Sequence, residues 1–266
     1  MDSDAVPDLV RRLWRLPITT PTRMGRKSTL DVETVIAAAV RLADAEGLAA
    51  ATLPKVSEQL GVTAMSLYRH VGSKDDLLQL MLDAASDPPA GPAETTGWRE
   101  GLWRWALDLW ELYRRRPWLP RVPLHRTPSG PNQIAWLERG LEALADTRLG
   151  WDEKARAVTL LSGYVRHSIQ LTQDLEEGRP AEQAQAAGEH EYARALGRLV
   201  TAQRFPNTAA MLASEAFAAS DEPTDVTARE DFTAGLALLL DGLEAQIATT
   251  SGATHRRDAA ADRRGG

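Results

Sequence analysis

The sequence contains no cysteine, which excludes disulfides, thiolate metal sites and cysteine nucleophiles together. Histidine is scarce: His70, His125, His167, His190 and His255 are the five, and none pairs with another at metal-ligand spacing. The stretch "GEHEYAR" sets Glu189, His190 and Glu191 side by side, but adjacent residues diverge on a helix, so it reads as a solvated face. There is no Walker loop, no G-x-S-x-G and no H-E-x-x-H, so the usual nucleotide, serine-hydrolase and zinc-protease chemistries lack their residues. No metal, cofactor or catalytic residue is expected, and the chain does not read as an enzyme. The longest clean apolar run, "LALLL" (Leu236 to Leu240), falls far short of the ~20 residues that span a bilayer. The start, "MDSDAVPDL", is acidic and lacks an apolar core, so no secretory signal is expected. Period-two alternation is missing as well, and with it any convincing strand.

What is present suits a soluble chain able to bury a core. Of its 266 residues, 43% are hydrophobic and 26% charged. The lack of cysteine agrees with a reducing cytoplasm. Net charge is −6, yet from Arg23 to Lys74 seven Lys/Arg face five Asp/Glu. A mildly basic front module therefore precedes an acidic body.

Hydrophobic periodicity predicts an all-α chain. Residues 1–27 read as an irregular arm, in which "DLVRRLW" could form a short helix. Asp31 is a good N-cap for a helix with Val35, Ile36, Ala39, Val40 and Ala43 on its apolar stripe, ended by Gly47. Thr52 starts a second helix, with Pro54 in its first turn and Val56 and Leu60 inward. Gly61 breaks it, and a third short helix runs from Thr63 to His70 with Leu67 inward. Ser73 and Asp76 have capping-box spacing at the start of a fourth, to about Ser86. "DPPAGP" (Asp87 to Pro92) is the best domain boundary in the chain. Longer helices are expected over 97–115, 131–146, 152–177, 188–204, 208–220 and 228–248, and a disordered tail over 251–266. The domains expected are the arm 1–27, a front helical module 28–86, a larger helical body 87–250, and the tail.

The stretch "GVTAMSLYRHVGSK" (Gly61 to Lys74) carries the functional signal. Helix, glycine turn and short helix form a helix-turn-helix, whose second helix must fit a major groove about 12 Å wide. Thr63, Ala64, Met65 and Ser66 lead at the end that would meet base edges, and Ala64 and Met65 could touch thymine methyls. Arg69 could reach guanine or phosphate, Tyr68 and His70 phosphate oxygens, and Lys74 would add to a phosphate clamp at a helix N-terminus.

These residues, with "VIAAAVRLADAEGL", "ATLPKVSEQLGV" and "SLYRHVGSKDDLL" at their spacing, resemble the N-terminal domain of the TetR family of bacterial transcriptional regulators over about Leu30 to Asp83. The resemblance implies an all-helical homodimer that represses transcription and releases DNA when a small molecule binds its C-terminal domain. It implies base- or backbone-facing roles for Ala64, Met65 and Ser66, and phosphate contacts for Tyr68, His70 and Lys74. Pro54 departs from the pattern: several members carry a polar or basic DNA-binding residue there, and Lys55 could substitute. Arg23, Arg26 and Lys27 resemble the basic arm that some members lay along the minor groove.

The body holds seven of the eight tryptophans. On helix 97–115, Trp98, Leu102, Trp105, Leu109 and Leu112 form one stripe, and Trp103, Leu107 and Trp110 another. A helix apolar on two sides is buried between neighbours or lines a cavity. Trp103, Leu107, Trp110, Trp118 and Trp136 are the cavity candidates, with Tyr164, His167 and Gln170 as polar groups that could orient a ligand. The open alternatives are core packing for the tryptophans and Tyr164, and a solvent or subunit face for His167. Val158, Ser162 and Val165, with Leu236, Leu239 and Leu243, are the dimer-bundle candidates. That pairing follows from the resemblance, since the family's interface uses the eighth and last helices.

The reading is a one-component repressor whose two recognition helices enter major grooves about 34–36 Å apart on a pseudo-palindromic operator. Helix 73–86 would be the lever on which the ligand acts. The alternative is a helical small-molecule-binding protein or enzyme whose helix-turn-helix is not used on DNA.

Overall fold

A computed structural model of the chain describes residues 6–17, 30–89, 97–124, 127–178, 195–214 and 224–262, with the side chains of the last helix covered from 228 to 250. Among the described residues there is no strand. The helices are α1 (Asp8–Leu13), α2 (Val32–Glu46), α3 (Leu53–Leu60), α4 (Ala64–Val71), α5 (Lys74–Ala84), α6 (Trp98–Arg115), α7 (Pro131–Ala143), α8 (Trp151–Glu177), α9 (Pro206–Leu212) and α10 (Thr224–Asp262). The chain forms two compact units, one of residues 1–169 with 239–266, the other of 170–238.

Polar caps set the front helices. The Asp31 carboxylate accepts the Thr34 N–H at 2.7 Å, and the hydroxyls of Thr52, Thr63 and Ser73 accept from Lys55, Ser66 and Asp76 at 3.4, 3.3 and 3.0 Å. Each satisfies a donor that the first turn leaves unpaired. The thiol-free core of this module is small and aliphatic: Val35, Ile36, Ala39, Val56, Leu67 and Val71 are buried.

Helix α5 is buried all round, from Leu77 through Asp83, because α1, α2, α4 and α7 pack against it. The front module therefore has no free inner face towards α7. Behind it, α6 lies on α7 through Trp105 and Trp136, whose rings meet edge to face at 6.2 Å. Helix α7 approaches α8 closely at Gly140, where a Cβ would stand 2.9 Å from the Val158 side chain.

The helix left open at "DLVRRLW" forms, and parts further along differ from the sequence reading. The arm contains a helix, α1, held by the burial of Leu9 and Leu13. The last helix continues to Asp262, through most of the tail expected to be structureless. Of the helix expected over 208–220, the described part is α9, which starts two residues earlier at the helix-initiating Pro206 and ends at Leu212. Of the helix expected over 188–204, residues 195–199 are helical and 200–204 are not, while 188–194, the stretch "GEHEYAR", lies outside the described residues.

Candidate nucleic-acid interface

Helix α4 has one face in the core and one in solvent. Leu67 and Val71 are fully buried, whereas Met65 is 68% exposed and Tyr68 46% exposed. Thr63 and Arg69 are exposed beside them, Ala64, Ser66 and His70 are half-buried, and Lys74 is exposed at the start of α5. Two glycines make this presentation possible. Gly61 takes the left-handed conformation (φ 65°) between α3 and α4, and Gly72 takes φ 92° between α4 and α5.

The surface charges around α4 are not all idle. Lys55 Nζ bonds the Glu46 carboxylate at 2.8 Å, an exposed pair that contributes little to stability. Burial holds the His70 imidazole below its ordinary pKa; the Asp31 carboxylate opposes that shift and Arg69 adds to it. Arg26 and Lys27 lie outside the described residues.

The interface is tied to the helical body by a set of side chains of which the sequence reading singled out only Trp118, and that one as a cavity candidate. Trp118 is buried, and its indole N–H donates to Asp44 of α2 at 2.7 Å. Arg116 lies 3.4 Å from the same carboxylate and donates to the Ala85 carbonyl at 2.8 Å. Gln79 of α5 donates to the Pro123 carbonyl at 3.1 Å. Arg166 of α8 donates to the Val122 carbonyl and to the Tyr113 hydroxyl, whose pKa burial pushes up. The 116–123 connection is therefore gripped on one side by α2 and α5 and on the other by α8.

A second seam joins α5 to α7. Asp83 is buried, and its carboxylate accepts the Gln133 N–H in the first turn of α7 at 3.0 Å. Asn132 donates to the Asp83 carbonyl at 2.9 Å and to Asp87 at 3.3 Å. Trp136 Nε1 donates to the Ser86 carbonyl at 2.9 Å, and Trp105 Nε1 to the Trp136 carbonyl at the same distance.

The expected cavity residues separate under this geometry. Trp118 and Trp136 are buried and donate their N–H groups to Asp44 and to the Ser86 carbonyl. Trp110 is buried with the Arg114 guanidinium 5.0 Å from its ring. His167 is exposed on α8, and Leu107, Tyr164 and Gln170 are half-buried. Trp103 lines an open groove of about 570 Å³ with Gly97, Trp98, Arg99 and Glu100. Arg99 there is held by Asp241 and Glu244 of α10.

The expected dimer stripes also shift. Val158, Val165, Leu236 and Leu243 are buried within the single chain, because the heptad-like spacing marks the core side of each helix. Ser162 and Leu239 are half-buried. The outward track on α8 is Leu160, 60% exposed, with Gly163 and His167; on α10 it is Leu238, 74% exposed, with Gly242 and Ala245.

A capped helix-turn-helix with an exposed recognition face, joined to a larger helical body, defines a DNA-binding transcriptional regulator. Comparison with known proteins carries this further. The profile described as "Bacterial regulatory proteins, tetR family" matches residues 35–81, and "Tetracyclin repressor-like, C-terminal domain" matches 91–247. The chain belongs to the TetR family of bacterial transcriptional regulators. It is 34% identical to the HTH-type transcriptional repressor DrrR1 of Streptomyces coeruleorubidus over 238 residues, 87% of this chain and 83% of that one. It is 30% identical to an HTH-type transcriptional regulator of Saccharopolyspora erythraea over 188 residues, 70% of this chain and 80% of that one. Among solved structures, apo ActR from Streptomyces coelicolor superposes with a TM-score of 0.65 at 25% identity, covering 83% of this chain and 99% of ActR. ActR in complex with (S)-DNPA gives the same TM-score at 26% identity, covering 83% of this chain and 100% of ActR.

Proposed function

We propose that this protein is a homodimeric repressor that holds a pseudo-palindromic operator and leaves it when a flat aromatic ligand enters its body. The observation that carries the reading is α4 itself, with Leu67 and Val71 fully buried while Met65, Tyr68 and Arg69 stand in solvent. Thr63 to Ser66 meet base edges; Tyr68, Arg69, His70, Lys74 and Lys55 approach phosphates, joined by Arg26 and Lys27 from the arm. Each phosphate neutralised by a cation releases counterions, so binding weakens steeply with salt.

The names of relatives support repression, and the ActR complexes with (S)-DNPA and actinorhodin support a small aromatic effector. The half-buried rings of Trp98 and Trp103 beside the groove favour a flat partner. A second copy would dock on the outward tracks of α8 and of the end of α10, where Leu160, Gly242 and Ala245 are left in solvent. The protein acts by binding, not turnover, in the cytoplasm and at the nucleoid; no described helix is long and apolar enough to cross a membrane.

The test is in vitro selection of duplexes on the purified protein, followed by titration of actinorhodin into the resulting complex. Recovery of an inverted repeat that is released on titration supports the reading. Recovery of random duplexes ends it.

A further inference from the structure

We propose that α1 is a strut that positions the recognition helix, with Arg12 gripping the end of α4 and Trp14 tying α1 to the body. Six residues are too few to hold a helix in water without tertiary support. Support comes from Leu9 and Leu13, both buried, with α1 packed against α5. Asp8 in the first turn and Arg11 and Arg12 in the last suit the helix dipole.

The C-terminal end of α1 is bonded to two different parts of the protein through Arg12 in its last turn and Trp14 just after it. Arg12 Nε donates to the His70 carbonyl at 3.0 Å. That carbonyl belongs to the last turn of the recognition helix, where intrahelical partners run out and a cation meets the negative end of the dipole. The guanidinium fills the turn so closely that a Cβ on Gly72 would lie 3.0 Å from Arg12 Nη1 and 2.6 Å from the Asp76 carboxylate. Two residues further on, Trp14 Nε1 donates to the Ser129 carbonyl at 2.8 Å, immediately before α7. Arg15 then turns the chain at φ 56° and pairs with Glu33 at the start of α2, with Nη2 3.0 Å from Oε2.

A continuous path therefore runs from the α7 entrance through Trp14 and Arg12 to the α4–α5 turn. It runs beside the Asp83 seam, which Ser129 meets by donating its N–H to the Gln133 side chain at 3.2 Å, and it uses no residue of the 116–123 connection. A movement of the 127–130 segment would be felt at the recognition helix through the last turn of α1, which Leu9 and Leu13 anchor in the core. This rests on the DNA-binding reading for its biological use but not for its physical content.

The experiment uses the full chain and two conservative variants, Arg12→Met and Trp14→Phe. The first readout is amide hydrogen exchange. Trp14→Phe keeps an aromatic ring and deletes the bond to Ser129, and it should speed exchange at residues 70–74 several-fold while leaving α2 and α8 protected. Unchanged protection at 70–74 overturns the strut, whether or not any DNA is bound. The second readout is anisotropy on a duplex selected with the wild-type protein, across a salt series. Arg12→Met should weaken binding about tenfold with the salt slope unchanged. A slope smaller by about 0.9 per subunit would make Arg12 a phosphate contact and overturn the positioning role. Unaltered affinity would overturn it too. The double variant should lose less than the two single losses combined, because both cut one path; full additivity sinks the proposal. Failure of the wild type to select any duplex would refute DNA binding, while the exchange result would still decide the strut.

Discussion

The indole N–H of Trp118 meets the Asp44 carboxylate at 2.7 Å, joining the connection after α6 to the helix that backs the recognition module. The bond is charge-assisted, and the ring that makes it is buried. Trp118→Phe keeps most of the bulk and removes only the donor. It should lower unfolding free energy by about 1.5–3 kcal/mol, the range for hydrogen bonds to charged groups. Urea denaturation followed by circular dichroism checks this, and a midpoint equal to wild type would deny the joint its weight.

Exposed residues of α4 should act on DNA rather than on the fold. Arg69→Ala should weaken binding to a selected duplex and lower the salt slope by about 0.9 per subunit, with the melting temperature unchanged. Tyr68→Phe should show a smaller loss with the slope intact, because a hydroxyl carries no counterion. Anisotropy titrations between 50 and 300 mM salt read both.

Asp83 gives a pH dependence whose sign can be worked out. Burial raises its pKa above the ordinary 3.8, with Asp87 pushing the same way and the Gln133 and Asn132 N–H groups and Arg15 opposing. The folded protein thus holds this proton more tightly than the unfolded chain. The stabilisation is complete below the unfolded value and is lost as pH rises through the folded one. Asp83→Asn keeps an oxygen for the Gln133 N–H and removes the charge. Its melting temperature should gain on wild type as pH rises from about 4 to 7, and parallel curves would contradict the assignment.

Leu160→Arg places a charge on the outward track of α8 without touching the core. It should yield monomers by light scattering, with helical content preserved. Leu243→Ala, at a buried position, should instead destabilise the fold by about 2–5 kcal/mol and leave the assembly state of the folded fraction alone. The opposite pattern would return the interface to the buried stripes.

The front module was legible because short-range rules decide it. Asp31, Thr52, Thr63 and Ser73 are caps that act within three residues, and Gly47, Gly61 and Gly72 all adopt the positive φ that ends or turns a helix. Helix α1 was only half legible, because six residues carry too little periodicity and the helix rests on Leu9 and Leu13 finding a distant partner. The tryptophans were ambiguous for another reason. Periodicity shows that Trp105 and Trp110 avoid water, but not that Trp118 and Trp136 would use their N–H groups on Asp44 and Ser86. Likewise the stripes on α8 and α10 marked an apolar side, and Val165 and Leu236 proved to be fully buried in the single chain.

Because Asp44, Gln79 and Asp83 each belong to the reading module yet bond with residues from the other half of the chain, the two halves are not interchangeable parts. A chimera that grafts this helix-turn-helix onto another regulator's sensor would inherit unmatched donors and acceptors at every junction. Engineers wishing to re-address such a sensor would do better to rewrite the solvent-facing letters of α4 and transplant nothing else.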